Sequence, residues 1–358
     1  MPGPNGADTR LRAARPTIAV DGRSRPSLGE GLLRLEIVED TLGLYRCEAT
    51  FGNWGTVNNT IGFLYFDRAL LDFGKRFTVE LNGRGLFDGR ITGLEASFPE
   101  GRPPELSVLA EDRFQDLRMV RRTRTFEDVS DADVARQVAS EHGLTASVDT
   151  PGPTYRVLAQ VNQSDLAFLR DRARTIDADL WMDGQTLHVA ARASRDGGTV
   201  EMTYGRDLRE FAVLADLAHQ RTGLKVSGWD VAAKEGIAHE AGESVVQGEL
   251  NGMDGGASVL RRALGERKEA VAHTVPLTSQ EAQSEAEALF RLGARRFLVG
   301  RGTAEARADL RVGAYVDLQG LGPLFSGKYY LAQTRTLFDA SHGFRIEFAA
   351  ERPWLGRP

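Results

Sequence analysis

The residue types that could do chemistry are present in this sequence, but their spacing does not match a catalytic or metal-binding motif. His239 and Glu240 begin like the zinc-binding helix of a metalloprotease, yet Glu243 stands where the second histidine is needed, so two ligands cannot share one helix face. We interpret residues 239–243 as a solvated loop. Asp177, Asp179 and the Asp183-Gly184 pair have calcium-loop residue types, but the spacing is wrong and no bidentate glutamate follows. We interpret them as turn residues.

Other sources of catalysis fail in the same way. The sequence has no Gly-x-Ser-x-Gly elbow, no Walker A loop and no dinucleotide-binding fingerprint, and its six histidines are scattered. The one cysteine, Cys47, cannot form an internal disulfide, and its alternating flanks indicate a buried small hydrophobe. We therefore expect no catalytic residue, no cofactor-binding residue, no metal ligand and no cofactor, which means that the protein is not an enzyme.

Composition sets limits on the partners. The net charge of −5 gives no broad basic field, which argues against nucleic acid as the main partner. The longest apolar run, residues 61–66, is far shorter than the roughly 20 residues that span a bilayer, and the N-terminus lacks the apolar region of a signal peptide. We expect a cytoplasmic protein that does not contact a membrane in its resting state. Four arginines around one predicted helix are interpreted as a solvated face: Arg156, Arg170, Arg172 and Arg174.

Hydrophobic periodicity divides the chain into six segments. Residues 1–15 are expected to be a flexible tail, and 16–113 a β region, because apolar residues alternate through Phe77, Val79 and Leu81. Residues 114–195 read as an α/β insert of two helices and a hairpin, with capping residues Ser130 and Ser164 at the helix starts. We expect strands that complete the β regions over 196–230, a glycine-rich loop and a helix over 231–300, and a second β region over 301–358.

An internal repeat connects the two β regions. Residues 79–91 and 316–329 align with one insertion at Pro323, and Leu106–Arg113 resembles Ile346–Arg352 further on. Each copy predicts a strand, a tight glycine turn, a Leu-Phe strand start and a glycine at a bend. The turn residues that we expect to shape the two units are Gly83, Gly85, Phe87, Gly89, Gly320, Gly322, Phe325 and Gly327. The fold class predicted is mainly β, with two barrel-like domains and small α/β modules.

The α/β insert carries a family resemblance. Residues 126–134, 143–144 and 160–169 with the Asp183-Gly184 hairpin, the closing blocks around Val316–Gly320 and Phe325–Tyr329, and the opening Asp21-Gly22 resemble the phage late control D and VgrG family. These proteins are the baseplate hubs of contractile phage tails, type VI secretion spikes and contractile injection systems. The resemblance covers residues 16–353.

The resemblance implies a function. Family members carry two tube-protein-like β-barrels, so a homotrimer presents six similar barrels and joins a sixfold inner tube to a threefold spike. The expected partners are further copies of the chain, the inner tube protein, a separate spike protein and other baseplate subunits. We expect Trp54, and also Trp354, to lie at an interface. The alternatives are a VgrG-like carrier of an effector and a tail-associated peptidoglycan hydrolase.

Overall fold

Residues 15–41, 45–150, 152–195, 197–230, 233–271 and 274–357 are described in a computed structural model. Residues 1–14, on which most of the expected tail falls, lie outside that part. No helix of the described ranges is long and apolar enough to cross a membrane. The first β unit is formed from the elements of residues 17–111: β1 (Thr17–Val20), β2 (Arg23–Ser24), α1 (Pro26–Gly31), β3 (Leu32–Asp40), β4 (Arg46–Gly52), β5 (Gly55–Val57), β6 (Thr60–Gly62), β7 (Arg76–Leu81), β8 (Arg84–Ser97) and β9 (Glu105–Glu111).

The first α/β module follows directly. Its elements are α2 (Phe114–Arg118), β10 (Arg121–Ser130), α3 (Asp131–Glu141), β11 (Thr145–Asp149), β12 (Thr154–Ser164), α4 (Asp165–Thr175), β13 (Ala178–Asp183) and β14 (Thr186–Ala191). Ser130 and Ser164 cap the two longer helices by accepting hydrogen bonds from Asp133 and Ala167, which confirms both predicted helix starts. A 3₁₀ turn at Arg192–Ser194 ends the module.

The remaining elements belong to the second β unit and to a second α/β module. They are β15 (Thr199–Thr203), β16 (Leu208–Ala215), β17 (Gly223–Asp230), β18 (Glu235–Ala241), a 3₁₀ helix (Glu243–Glu249), β19 (Asp254–Gly255), α5 (Gly256–Leu264), β20 (Lys268–Val271), α6 (Ser279–Ala294), β21 (Leu298–Glu305), β22 (Tyr315–Gln319), α7 (Gly322–Phe325), β23 (Gly327–Asp339), β24 (Gly343–Arg352) and β25 (Trp354–Leu355). The expected loop at 239–243 is therefore wrong in part, because His239 lies in β18.

The fold is mainly β, and one sheet of 13 strands contains both β units. Six strands of the first unit hydrogen-bond in the order β3-β4-β9-β8-β7-β1, and six strands of the second follow the matching order β16-β21-β24-β23-β22-β15. The order of pairing is the same, except that β1 is antiparallel to β7 whereas β15 is parallel to β22. The chain therefore contains two β units built on one plan.

The long strand β23 connects the units. Its first residues pair with β22, and its last residues, from Gln333 onward, pair with β3 of the first unit. A bulge between Leu331 and Gln333 lies where the partner changes. Each unit still has its own core: Phe51, Phe77 and Ile91 belong to the first, and Met202 and Leu298 to the second.

The register of the ladders corrects the repeat alignment. Ala110 pairs with Ile91 and Ala350 with Leu331, so the downstream blocks correspond as aligned. Counting back along β8 and β23, Phe87 corresponds to Gly327 and not to Phe325. The sequence alignment of the two glycine-containing blocks is therefore wrong by two residues relative to the pairing of the strands. A shift of two keeps every side chain on its own face of a strand, so the apolar pattern could not reveal it.

The two hairpin turns also differ. Gly83 and Gly320 both have positive φ values, 75° and 81°, as a tight turn requires. Gly85 lies in β8, whereas Gly322 begins the short helix α7, so the predicted Leu-Phe strand start is wrong in the second copy. Pro323 at the start of α7 explains the change, because proline favours the first turn of a helix and cannot donate to a strand ladder.

The segment 231–300, predicted as a loop and a helix, is largely a packed α/β module. Strand β17 pairs antiparallel with β18 and parallel with β20, so the expectation that residues 196–230 only complete the barrels is also wrong for this strand. Helix α6 covers the small sheet, with Ala282, Ala286 and Phe290 packed against Val226 and Ile237. Its many alanines permit this close contact but are weak hydrophobic signals in a sequence.

The arginines of the first module are not a uniformly solvated face, which corrects that expectation. Arg156 and Arg174 are exposed. Arg172 donates from Nε to Asp131 at 2.6 Å, and its guanidinium lies 4.4 Å from the ring centre of Tyr155. Its charge therefore fixes the start of α3 to α4, because Asp131 is the first residue of α3.

Buried ion pairs join the four parts of the molecule. Glu39 at the end of β3 accepts from Arg311 at 2.7 Å and from the backbone N–H of Val312 at 3.1 Å. Arg195 lies between Glu39 and Asp179, at 3.7 and 3.6 Å. Asp179 also accepts from the Tyr330 hydroxyl. We call this set, with the neighbouring Arg192–Glu351 and Asp177–Arg295–Glu249 pairs, the ionic joint.

A substitution of Arg295 tests the contribution of the ionic joint to stability. The guanidinium of Arg295 is 5% exposed and connects Asp177 of the first module to Glu249 of the second. Arg295→Met leaves the carboxylate of Asp177 buried without its main partner, and we expect the free energy of unfolding to fall by about 3–5 kcal/mol. Chemical denaturation measures it. The control, Arg209→Met, removes an exposed pair with Glu305 and should cost under about 1 kcal/mol. Equal losses in the two variants would contradict the role of the joint.

The titration of Asp112 makes the stability of the folded protein depend on pH. This residue follows β9, is 6% exposed and accepts a hydrogen bond from the Phe114 N–H at 3.0 Å. Burial raises the pKa of Asp112 to about 7 from its usual value of 3.8. Between these values the folded state binds more protons than the unfolded state, so this group lowers stability as the pH rises from about 4 to 7.

The variant Asp112→Asn keeps the acceptor for Phe114 and removes the titration. We expect it to be more stable than the parent at pH 8 by on the order of a few kcal/mol, since one unit of pKa shift is about 1.4 kcal/mol. The difference should shrink toward pH 4. Thermal unfolding across this range measures it, and a constant difference at every pH would refute the assignment.

Candidate interaction surface

A short hairpin lies beside a cluster of exposed aromatic side chains. Strands β5 and β6 pair from Gly55↔Gly62 to Val57↔Thr60, and the turn between them is made by Asn58 and Asn59 with φ values of 50° and 65°. Two consecutive residues with positive φ fit the right-handed twist of a tight hairpin, and asparagine tolerates that conformation. The hairpin belongs to the connection between β4 and β7 of the first unit.

Four aromatic side chains cluster beside this hairpin. Trp54 packs edge-on against Phe63 with ring centres 5.2 Å apart, and Phe63 stacks on Phe66 at 4.7 Å. Phe98, which follows the end of β8, contacts Phe63 and Phe66 at 6.3 and 5.9 Å. All four remain substantially exposed, from 36% for Phe66 to 64% for Phe98. We call these four residues the aromatic patch.

Buried contacts hold the patch in place. Asn53 is fully buried, accepts from the Tyr65 N–H at 2.9 Å and donates its own N–H to the Pro104 carbonyl at 2.8 Å. Tyr65 packs edge-on against Phe51 of the first core. The loop before the hairpin, the loop after it and the segment after β8 are thereby fixed to one another. The patch is a preformed surface and not a set of isolated exposed rings.

Exposed aromatic clusters of this kind mark contacts with other macromolecules. Aromatic side chains offer large apolar area for little loss of side-chain entropy, and they dominate the binding energy of protein interfaces. A monomeric protein rarely leaves a contiguous apolar patch uncovered. The aromatic patch is therefore suited to bind the surface of another protein, because binding would remove its apolar rings from water.

Of the two tryptophans predicted at an interface, only Trp54 lies at the surface. It is 47% exposed and part of the aromatic patch, and its role in binding stays a prediction. Trp354 is 8% exposed; its ring lies 3.9 Å from the guanidinium carbon of Arg352 and its backbone pairs with Gly255. It fastens the end of the second β unit to the second α/β module, so the structure does not place it at an interface.

The repeat residues belong to strands β8 and β23 and to the connections between β7 and β8 and between β22 and β23, and their role in shaping the two β units stays a prediction. A side chain at Gly89 would come within 2.3 Å of the Glu111 carbonyl oxygen, and one at Gly327 would meet Trp354 at 3.0 Å. Both positions therefore permit a close approach of neighbouring segments. Among the described residues, no cluster of three or more metal-ligating side chains is present.

Comparison with known proteins places the chain in a family. The model described as the Alg8 N-terminal domain matches residues 80–337, which is more than half of the sequence. The chain belongs to this family. No curated protein matches the sequence significantly. Membership of the phage late control D and VgrG family, which the sequence predicts, stays a prediction because the matching model carries another description.

Solved structures show the same fold at low identity. A 43 kDa prophage tail protein from Shewanella oneidensis is 14% identical, with a TM-score of 0.69 over 95% of this chain and 98% of that chain. A tail protein from Neisseria meningitidis is 14% identical, with a TM-score of 0.67 over 96% and 98%. An Escherichia coli component of the type VI secretion system is 12% identical, with a TM-score of 0.54 over 95% and 79%. The mainly β architecture predicted from the sequence is confirmed.

Sequence reasoning found only one member of the patch. Trp54 was selected for its place between Asn53 and Gly55, whereas Phe63, Phe66 and Phe98 were missed. The run Phe63–Phe66 reads as part of an apolar segment typical of a core strand, yet it follows the hairpin and continues into turns. Phe98 joins the patch from 32 residues beyond Phe66, a distance that no local pattern bridges. The usable signal was the density of aromatic residues in 51–66.

We expect Phe98→Ser to leave the fold intact while removing apolar surface. Phe98 is 64% exposed, so the free energy of unfolding should change by no more than about 0.5–1 kcal/mol. Binding of a dye that fluoresces on exposed apolar surface should decrease. A large drop in thermal stability would instead show that Phe98 supports the core.

Proposed function

We propose that this chain is the structural baseplate hub of a phage tail or contractile injection system, a trimeric adaptor between a sixfold inner tube and a threefold spike. Its role is to hold two symmetries together and not to catalyse a reaction. It is made in the cytoplasm and acts within a tail-like particle, in contact with the tube protein, a separate spike protein and other baseplate subunits. The fold shared with phage tail proteins supports this proposal.

The observation that carries the proposal is the pair of equivalent β units. Both units use the same order of six strands, and one continuous sheet fixes their relative position. A closed ring of three chains would then present six similar β units around its axis. Such a ring offers a sixfold tube quasi-equivalent contacts on one face and keeps true threefold symmetry for a spike on the other.

The differences between the units indicate where the threefold contacts lie. The connection between β4 and β7 contains the β5–β6 hairpin and the aromatic patch, whereas β21 is joined to β22 by a short connection over residues 306–314. The patch therefore occurs once in each chain and three times in a trimer. We propose that it is buried between neighbouring hub subunits, because a contact repeated six times needs features that both units share.

The test is the solution mass of the purified protein by light scattering. We expect three chains of 39.2 kDa each, either in the purified protein alone or within its complex with the co-expressed spike protein, whose own mass adds to the total. The double variant Trp54→Ser/Phe98→Ser should shift the mass toward the monomer, because it removes two rings of the patch. Phe73→Ser is the matched control, since Phe73 is 54% exposed but makes no ring contact with the patch within the described residues.

The outcomes separate the parts of the proposal. A trimer that persists in the double variant would move the patch from the subunit interface to another contact. A persistent monomer, even with the spike protein present, would overturn the trimeric adaptor. Particles in which the inner tube is joined to the spike in cells lacking this protein would overturn its role as the adaptor between them.

A further inference from the structure

A small cavity lies where the two α/β modules meet the first β unit. Its volume is about 70 Å³, and helix α4, strand β13, the 3₁₀ turn after β14, helix α6 and the end of β3 all contribute to its walls. The charged residues that line it are Arg170, Arg174, Asp177, Asp179, Arg192 and Arg295. The cavity is therefore lined by four cations and two anions, and four of these residues also belong to the ionic joint: Asp177, Asp179, Arg192 and Arg295.

Most of these charges already have partners. Arg295 donates to Asp177 and Glu249, and Arg192 pairs with Glu351 outside the cavity lining. Asp179 accepts from Tyr330 and lies near Arg195. Within the ranges that the structure describes, Arg170 and Arg174 form no ion pair and donate no hydrogen bond from their side chains. They are four residues apart on α4 and so lie on one face of that helix.

The unpaired cation at Arg170 is partly buried. Its Nη2 atom is inaccessible to solvent and has no hydrogen-bond partner, and the same is true of Nε of Arg192, a residue that is 8% exposed. Burial lowers the pKa of Arg170, against the opposing charges of Asp40 and Asp112; Arg174 also lowers it. Buried guanidinium N–H groups without acceptors are costly and are usually satisfied by an anion or by ordered water.

We propose that this cavity binds an oxyanion, either a free tetrahedral anion such as sulfate or phosphate or a carboxylate from another copy of the chain. Arg170 and Arg174, whose side chains form no hydrogen bond within the described ranges, would donate N–H groups to its oxygen atoms, and Arg192 would add positive charge. The cavity of about 70 Å³ is large enough for a small oxyanion. By the same measure of volume, one water molecule needs only about 10–15 Å³. The bound anion would connect α4 of the first module to the joint that holds the second module and the second β unit.

An anion-binding arginine and a purely structural arginine differ in how an added anion changes the stability of a variant. Arg170→Met keeps most of the side-chain volume and removes the charge. Without an anion, this variant should be as stable as the parent or more stable, because it removes a partly buried unpaired cation. With an anion, only the parent should gain stability. The sign of the difference between the two proteins should therefore depend on the anion.

The experiment measures thermal unfolding of the full chain in chloride and in sulfate at equal ionic strength, with calorimetric titration of sulfate. We expect sulfate to raise the unfolding temperature of the parent, and Arg170→Met to weaken sulfate binding about tenfold or more, because a charge-assisted hydrogen bond is lost. Arg156→Met is the control: this exposed arginine of β12 lies in the same module and should leave both measurements unchanged. Arg170→Lys serves as a second variant if Arg170→Met fails to fold.

The two sources of the anion give different results. Stabilisation of the parent by sulfate, lost in Arg170→Met, identifies a free oxyanion. If sulfate has no effect but Arg170→Met lowers the fraction of assembled protein in light scattering while Arg156→Met does not, the ligand is a carboxylate of another copy. If Arg170→Met changes neither sulfate binding nor assembly, the proposal is overturned, whatever the variant does to stability. The salt-dependent arm does not require the trimer, so it can fail or succeed independently of the proposed function.

Discussion

The arrangement of this protein depends on a buried ionic joint, in which arginines from one part of the chain neutralise carboxylates from another. Glu39 illustrates the constraint: it ends a strand of the first β unit, and Arg311, Arg195 and the Val312 N–H all converge on it from later parts of the chain. Buried charges of this kind add little net stability compared with apolar packing, but a charge left unpaired is costly. The joint therefore favours one relative placement of four parts over all others.

Around the joint, the continuous sheet supplies the rigidity that local contacts cannot. Strand β23 stays paired with β24 of the second unit along its length, and on its other edge it exchanges β22 for β3 of the first unit after the bulge at Leu331 and Gln333. Because backbone hydrogen bonds run through this change of partner, the two units cannot rotate freely about a linker. Two similar units held at a fixed angle are what a ring with an approximate sixfold axis requires from each of three subunits.

The aromatic patch and the cavity lined by α4 lie outside the ladders that the two units share. The ladders are common to both units, whereas the patch stands on an insertion present in only one of them. The cavity lies where α4 and α6 of the two α/β modules approach each other. In the proposed trimer, shared features would suit contacts repeated six times and unique features would suit contacts repeated three times. The difference between the two units therefore lies in the insertions between their strands and not in the strand ladders themselves.

The sequence by itself determined the local structure. The capped helices at Ser130 and Ser164, the hairpin at Asp183-Gly184, buried Cys47 and the existence of two related β regions all follow from patterns that span a few residues or repeat along the chain. Only the tertiary structure decided the two-residue shift between the glycine blocks, the packed module within 231–300, the burial of Arg172 and Trp354, and the meeting of Phe98 with Phe63 and Phe66. The physical reason is that a strand pattern of period two is unchanged by a shift of two. Burial of a charge or a ring, moreover, depends on partners that are distant in the chain.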